Sequence, residues 1–381
     1  MLMTIILCRS GMFSHVVDLS YALQAQGLAV SLAVRHTDTW ERADHQYQRR
    51  QIAPLLGLVY KTGPELVAFA REWRPDIIHA HSSLALAGSM QVSKLLDIPL
   101  IVTLHGVMPW AKHYWRPLYH ATKIIAVGPA QAASVNMPLH KNRLQIIQNG
   151  IDTSYFLPKW ESEKEATPAG TPEEELAEQG GTERPLRLLW YGRTNGRLSR
   201  GAAALDEAVS SLVNQGVEID AKLVGYAAGV KVKCLQNIGW QDDPRMFLQW
   251  GEIAFGHGRA LREAMACGNA GFLLAYGYGG LVEASRLQRR FINNDNNVEN
   301  DGDDDGYVMD AFPQYRFAEP LPEVIAADIL RLYADRRKLA ALRRQARAIA
   351  CRYFDLSLMV AKTKKVYQEV LVKQPGWSRE A

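Results

Sequence analysis

Short apolar runs alternate along the chain with longer stretches whose apolar positions recur every three to four residues. Runs at 3–8, 29–35, 76–80, 100–104, 124–127 and 144–147 have strand length, while 15–26, 64–73 and 84–96 read as amphipathic helices. Near-continuous apolar strands separated by helices predict a parallel sheet covered on both faces, the doubly wound α/β class. One such domain is expected over 1–158. The alternation resumes with a strand at 186–191, a helix near 202–215, a strand near 217–224, a helix near 259–267 and a strand at 271–275. A second Rossmann-like domain is therefore expected over 186–355. Three helices close the chain at 322–335, 336–353 and 356–372, the last expected to pack back on the first domain.

Two tracts interrupt this pattern. Residues 161–184 are rich in Glu, Pro, Gly, Thr and Ala with Leu176 as the one large apolar residue, too little to bury, so 159–185 is read as a linker or surface insertion. Residues 293–306 are an Asn- and Asp-rich loop.

Composition narrows the function classes. A net charge of +4 over 381 residues gives nucleic-acid binding no support. A modest Lys and Arg excess before Pro158 suits anionic substrates or a membrane surface, and equally a solvated face. Cys8, Cys234, Cys267 and Cys351 show neither zinc, redox nor disulfide spacing, which fits a reducing cytoplasm. No apolar run reaches the 18 residues that would cross a bilayer, and 1–7 is short for a signal peptide. The expected location is cytoplasmic, with peripheral contact at the inner membrane face as the variant.

Open α/β sheets bind ligands beyond the carboxyl ends of their strands, and chemistry-bearing residues collect there. Gly11 lies where the first strand turns into a helix, letting a ligand approach free N–H groups. His105 ends a strand and precedes Gly106, placing an imidazole at the same edge. His79 and His81 read instead as histidines satisfied by local backbone. Gly256 and Gly258 precede the helix carrying Arg259 and Glu263, whose leading N–H groups suit phosphate. Arg259 and Glu263 are four apart, so a simple helix pair competes with any ligand role.

Several motifs are set aside. Asp301 to Gly306 imitates half a calcium loop, but its twelfth position is Phe312. Asp303 and Asp305 lie in a polar tract, away from any strand end. No metal and no cofactor are expected. Residues 112–119 mix cations with aromatics, as an interfacial helix, an acceptor pocket or a packed surface helix would. Neither a dinucleotide fingerprint nor a Walker sequence occurs.

Four stretches together carry a family resemblance: Ser10-Gly11-Met12-Phe13-Ser14-His15, Thr103-Leu104-His105-Gly106, Gln148-Asn149-Gly150-Ile151-Asp152 with Phe156 and Pro158, and Arg262-Glu263-Ala264-Met265-Ala266-Cys267-Gly268. They resemble the GT-B glycosyltransferases of family 4. The resemblance implies two Rossmann-like domains facing a central cleft. It also implies retaining, metal-independent transfer from a nucleotide diphosphate-sugar to a glycan, lipid-linked or small-molecule acceptor, as in cell-surface polysaccharide synthesis. It assigns His105 to the acceptor or a sugar hydroxyl, Arg193 to the diphosphate and Glu263 to the nucleotide ribose. Arg200, with Arg197 as competitor, stands where the family has a Lys. The amides of Gly279, Gly280 and Leu281 fall in a Gly-rich loop near the nucleotide sugar. One departure matters: Phe255 occupies the position of the first of two paired Glu. Either Glu252 substitutes, or donor recognition differs, or activity is lost. The alternatives are an inactive sugar-nucleotide or glycan-binding protein and a GT-B-like sugar-nucleotide epimerase.

Overall fold

The computed structural model describes residues 1–8, 10–38, 40–107, 111–135, 142–162, 184–287, 312 and 315–372. These form two compact units, with chain crossings at Gly150 and Leu356.

The first unit is built on seven parallel strands in the order β3-β2-β1-β4-β5-β6-β7. They are β1 (Leu2–Ile6), β2 (Ser31–Arg35), β3 (Leu56–Tyr60), β4 (Ile78–Ala80), β5 (Leu100–Leu104), β6 (Lys123–Ala126) and β7 (Leu144–Ile146). Leu2, Met3 and Ile5 of β1 are fully buried, as a central strand with helices on both faces requires. Helices α1 (Gly11–Gln24), α2 (Gly63–Trp73), α3 (Leu86–Leu96) and α4 (Ala111–His120) belong to this unit. Ser10 caps α1 by accepting from the Phe13 N–H, so the helix begins one turn earlier than its apolar periodicity suggests. Phe13, Val16 and Leu19 of α1 share a core with Met359, Val360, Val366 and Tyr367 of the C-terminal helix Leu356–Leu371.

The second unit repeats the plan in the order β10-β9-β8-β11-β12-β13. Its strands are β8 (Leu186–Tyr191), β9 (Ile219–Val224), β10 (Gln236–Gly239), β11 (Ile253–Gly256), β12 (Ala270–Leu274) and β13 (Tyr278–Leu281). All pairings are parallel except β13 against β12. Phe255 is fully buried and stacks on Phe272 at 5.3 Å, and Trp190 is equally enclosed. Helices α5 (Ser199–Asn214), α6 (Gly258–Ala266), α7 (Pro322–Ala334) and α8 (Arg336–Tyr353) complete the unit.

The first unit ends at Gly150, not at 158. Ile151 is fully buried and donates its N–H to the Phe354 carbonyl at 2.8 Å. Arg347 of α8 then fastens the crossing segment, donating to the carbonyls of Thr153 and Phe156 and pairing with Glu161 at 2.7 Å. Lys159–Ser162 is a short helix, so the expected linker begins with an ordered turn. The rest of that tract up to 183, and the Asn and Asp loop with its calcium-like motif, lie outside the described residues. Phe312, which ends that motif, is fully buried and packs edge-on to Phe354.

Candidate functional site

In the second unit, β8 and β11 are neighbours whose chains leave toward opposite edges of the sheet, the switch point where such sheets open a crevice. The sequence motifs converge there. Gly256 ends β11, and a Cβ on it would stand 2.7 Å from the Tyr191 carbonyl oxygen, so glycine lets the two strand ends touch. Gly258 opens α6 at φ +59°, a conformation that disfavours side chains. The His257 side chain at the N-cap makes no capping hydrogen bond among the described residues, and the start of a helix is a setting suited to an anion.

Arg193 follows β8 with an exposed side chain and has no hydrogen bond or ion pair among the described residues. His257 stands beside it at the amino end of α6. Burial, and secondarily the Arg193 charge, pull the His257 imidazole down to about 4, so it is neutral at pH 7. Its Nε2 is buried without a partner among the described residues.

Glu263 is 6% exposed and doubly engaged: Arg259 Nε lies 2.6 Å from Oε1, and the Tyr191 hydroxyl donates to Oε2 at 2.8 Å. The helix pair considered from sequence is thus formed, but it is buried, which makes it a stronger constraint than an exposed pair. Burial and the adjoining carboxylate push the Tyr191 phenol far up, keeping it a donor. The unit holds Arg259, Glu263 and Tyr191 as one fixed group beside the helix start.

Arg200 sits in the first turn of α5, half exposed and 3.6 Å from the exposed Glu319. Arg197, its competitor, lies over the Tyr276 ring at 5.4 Å, just past the carboxyl end of β12. Two expectations are corrected. Gly279, Gly280 and Leu281 are not a loop; they belong to β13 and pair with β12 through an irregular register, Gly280 having φ +77°. The glycines serve a bulge in an antiparallel edge. Glu252 does not substitute for the missing carboxylate. It precedes β11, five strand steps of ~3.3 Å from His257. There Arg184 Nη2 binds it at 2.8 Å and the Arg187 N–H at 3.1 Å, with Arg336 and Arg343 close by. Phe255 points into the core, so its position offers no ligand contact.

In the first unit the corresponding switch point lies between β1 and β4. Gly11 begins α1 without a positive φ, and an added Cβ would meet nothing within 4 Å. The fold therefore does not demand glycine there. His105 follows β5, and its Nε2 faces His81 Nδ1 at 3.2 Å. His15, buried on α1, holds its Nδ1 2.8 Å from the Asn149 side-chain oxygen. One nitrogen from each of His15, His81 and His105 lies within 4.8 Å of the others. Burial first, then the neighbouring rings, holds His81 and His105 well below the usual histidine range. His79 is satisfied by the Tyr367 hydroxyl and Thr103, side chains rather than local backbone.

Sequence reasoning passed over His257, Tyr191 and the convergence of His15 with His81. A polar ring between two glycines at a helix start was a usable signal for His257. Nothing in spacing joins His15 to residues 66 and 90 positions later. The aromatic stretch at 112–119 forms α4, where Leu118 is buried while Trp115 and Tyr119 are exposed.

The sequence profile of Glycosyltransferase Family 4 matches residues 9–155. No curated protein sequence matches the chain. Among solved structures, HepE of Anabaena in complex with UDP and glucose is 15% identical with a TM-score of 0.63, covering 97% of this chain and 100% of its own. The sucrose-phosphate synthase of Thermosynechococcus elongatus is also 15% identical, with a TM-score of 0.60 and coverage of 98% and 100%. A candidate UDP-N-acetylglucosamine 2-epimerase from Listeria monocytogenes reaches a TM-score of 0.56 at 10% identity, over 98% and 97%. No helix among the described residues is long and apolar enough to cross a membrane. The chain has the GT-B fold, and in its first unit it resembles the glycosyltransferases of family 4.

Proposed function

We propose that the protein transfers a sugar from a nucleotide diphosphate-sugar to an acceptor. The observation that carries this reading is the convergence, at the β8–β11 switch point, of the start of α6, the exposed Arg193 and the buried Arg259–Glu263–Tyr191 group. A diphosphate placed against the helix start meets N–H groups and a guanidinium, a set suited to the charge that grows on a departing nucleotide. Gly258 permits close approach, and Glu263, held by Arg259 and Tyr191, is the carboxylate for a ribose. Arg200 or Arg197 adds a second cation. This arrangement supports donor activation without a metal on the diphosphate. In the first unit, the open space over Gly11 and the ring of His105 are the features suited to an acceptor hydroxyl. Retention of configuration and a role in cell-surface glycan assembly, at the cytoplasmic face of a membrane, extend the same reading.

The likeness in fold to HepE, whose structure holds UDP and glucose, supports a nucleotide-sugar ligand. Phe255 keeps two other readings in view, nucleotide binding without turnover and epimerisation. Incubating labelled nucleotide-sugars with and without acceptor glycans separates all three. Transfer requires label in the acceptor together with nucleotide release. A changed nucleotide-sugar without acceptor indicates an epimerase, and binding with no conversion across the panel contradicts the transferase reading. Proton NMR of the product anomer tests retention, which an inverted product rejects.

A further inference from the structure

We propose that His15, His81 and His105 form a site for a transition-metal cation of the zinc class in the first unit. The three imidazoles come from α1, from the residue after β4 and from the residue after β5, and one nitrogen of each lies within 4.8 Å of the other two. The doubly wound order makes β4 adjacent to both β1 and β5, which brings these separate elements to one sheet edge.

One of the three pairs stands at coordination spacing, and all three nitrogens lie within 4.8 Å of one another. His81 Nδ1 and His105 Nε2 stand 3.2 Å apart, against about 3.3 Å between two nitrogens each 2.0–2.1 Å from a tetrahedral zinc. Read as a hydrogen bond alone, the contact leaves a defect. Whichever ring donates, a protonated nitrogen is stranded, His105 Nδ1 in one tautomer and His81 Nε2 in the other, both buried without a partner among the described residues. A cation between the facing nitrogens replaces that single bond with coordination to both rings. The outer nitrogens, His81 Nε2 and His105 Nδ1, then both carry protons, so it is the spacing of the facing nitrogens, not relief of the outer ones, that favours a cation.

His15 shows the supporting contact usual for a metal-ligating histidine. Its Nδ1–H donates to the Asn149 side-chain oxygen at 2.8 Å, which sets the tautomer, with Nε2 as the unprotonated nitrogen of the neutral ring, and fixes the ring plane. The donor set is three neutral imidazoles, suited to zinc, cobalt, nickel or copper and unsuited to magnesium or calcium. His79 is not a ligand, because both its nitrogens are engaged by Tyr367 and Thr103. Three protein ligands leave a fourth position for water or a ligand oxygen. The site uses no residue of the second unit, and it stands whether or not sugar transfer is demonstrated.

The test uses the full chain, dialysed against a chelator, titrated with cobalt(II) alone and followed by visible absorption. The expected result is the intense d–d absorption of a tetrahedral site, complete near one equivalent and bleached by zinc(II). That signal is lost in His15→Gln and in His81→Gln and kept in His36→Gln, which changes a histidine outside the cluster. Asn149→Ala, which touches no ligand atom, is expected to weaken cobalt binding by about 10–100-fold. It carries the test if circular dichroism shows that a cluster variant does not fold. Only the pale spectrum of octahedral cobalt in the wild-type protein overturns the proposal. So does a tetrahedral spectrum that the folded cluster variants and Asn149→Ala leave unchanged.

Discussion

Arg193 and Glu263 were given similar roles from sequence, yet their surroundings set opposite expectations for mutation. Glu263→Ala takes a buried carboxylate away from the Arg259 guanidinium and the Tyr191 hydroxyl, so it should destabilise the second unit by about 3–5 kcal/mol, measured by urea unfolding. Arg193→Ala removes an exposed side chain and should change stability by less than about 0.5 kcal/mol. Its effect belongs to the ligand. Loss of a charge-assisted hydrogen bond predicts nucleotide diphosphate affinity weaker on the order of 10–100-fold, measured by calorimetry. His257 makes a pH prediction. Its folded value of about 4 lies below the unfolded value of about 6.5. Between these, the unfolded chain binds a proton that the folded chain does not, so stability falls as pH drops from 6.5 toward 4. Urea midpoints across that window should show a shallower slope for His257→Gln than for the wild-type protein; parallel slopes would reject the assignment.

At the scale of elements, the glycines separate demands of the fold from openings for a ligand. Gly201 in α5 is forced: a Cβ there would lie 1.9 Å from the Ala275 carbonyl oxygen, where the helix meets the end of β12. Gly201→Ala should therefore cost about 3 kcal/mol, at the upper end of overpacking effects. Gly11→Ala should leave the melting temperature of the protein unchanged, since its Cβ enters open space. Thermal unfolding of the two variants side by side checks both. The elements legible in the sequence were those buried on both faces. The central strands β1, β5, β8 and β12 read as apolar runs because they are enclosed. The edge strands β3 and β10 escaped notice because only Tyr60 of their nine residues is buried. The strand β13 was mistaken for a loop because the glycines of its bulge carry the composition of a turn.

For the whole molecule, strand order could not be read from spacing, but alternating strands and helices restrict the topology so strongly that two doubly wound sheets followed. The division of the chain was harder. Asn149-Gly150-Ile151-Asp152 straddles it: Asn149 serves His15 in the first unit, while Ile151 joins the core of the second and Asp152 caps the turn at Ser154 and Tyr155. The donor site was partly legible because its glycines and Glu263 lie within one short segment. Its other members were hidden, since Tyr191 and Arg193 lie about 70 positions earlier and join His257 only through the pairing of β8 with β11. The central claim is that this switch point binds a nucleotide diphosphate, and the most direct measurement is thermal shift of the wild-type protein and Arg193→Ala against nucleoside diphosphates and their sugars. The account predicts a base-selective rise in melting temperature that Arg193→Ala largely abolishes; no rise with any nucleotide, or an equal rise in the variant, would contradict it.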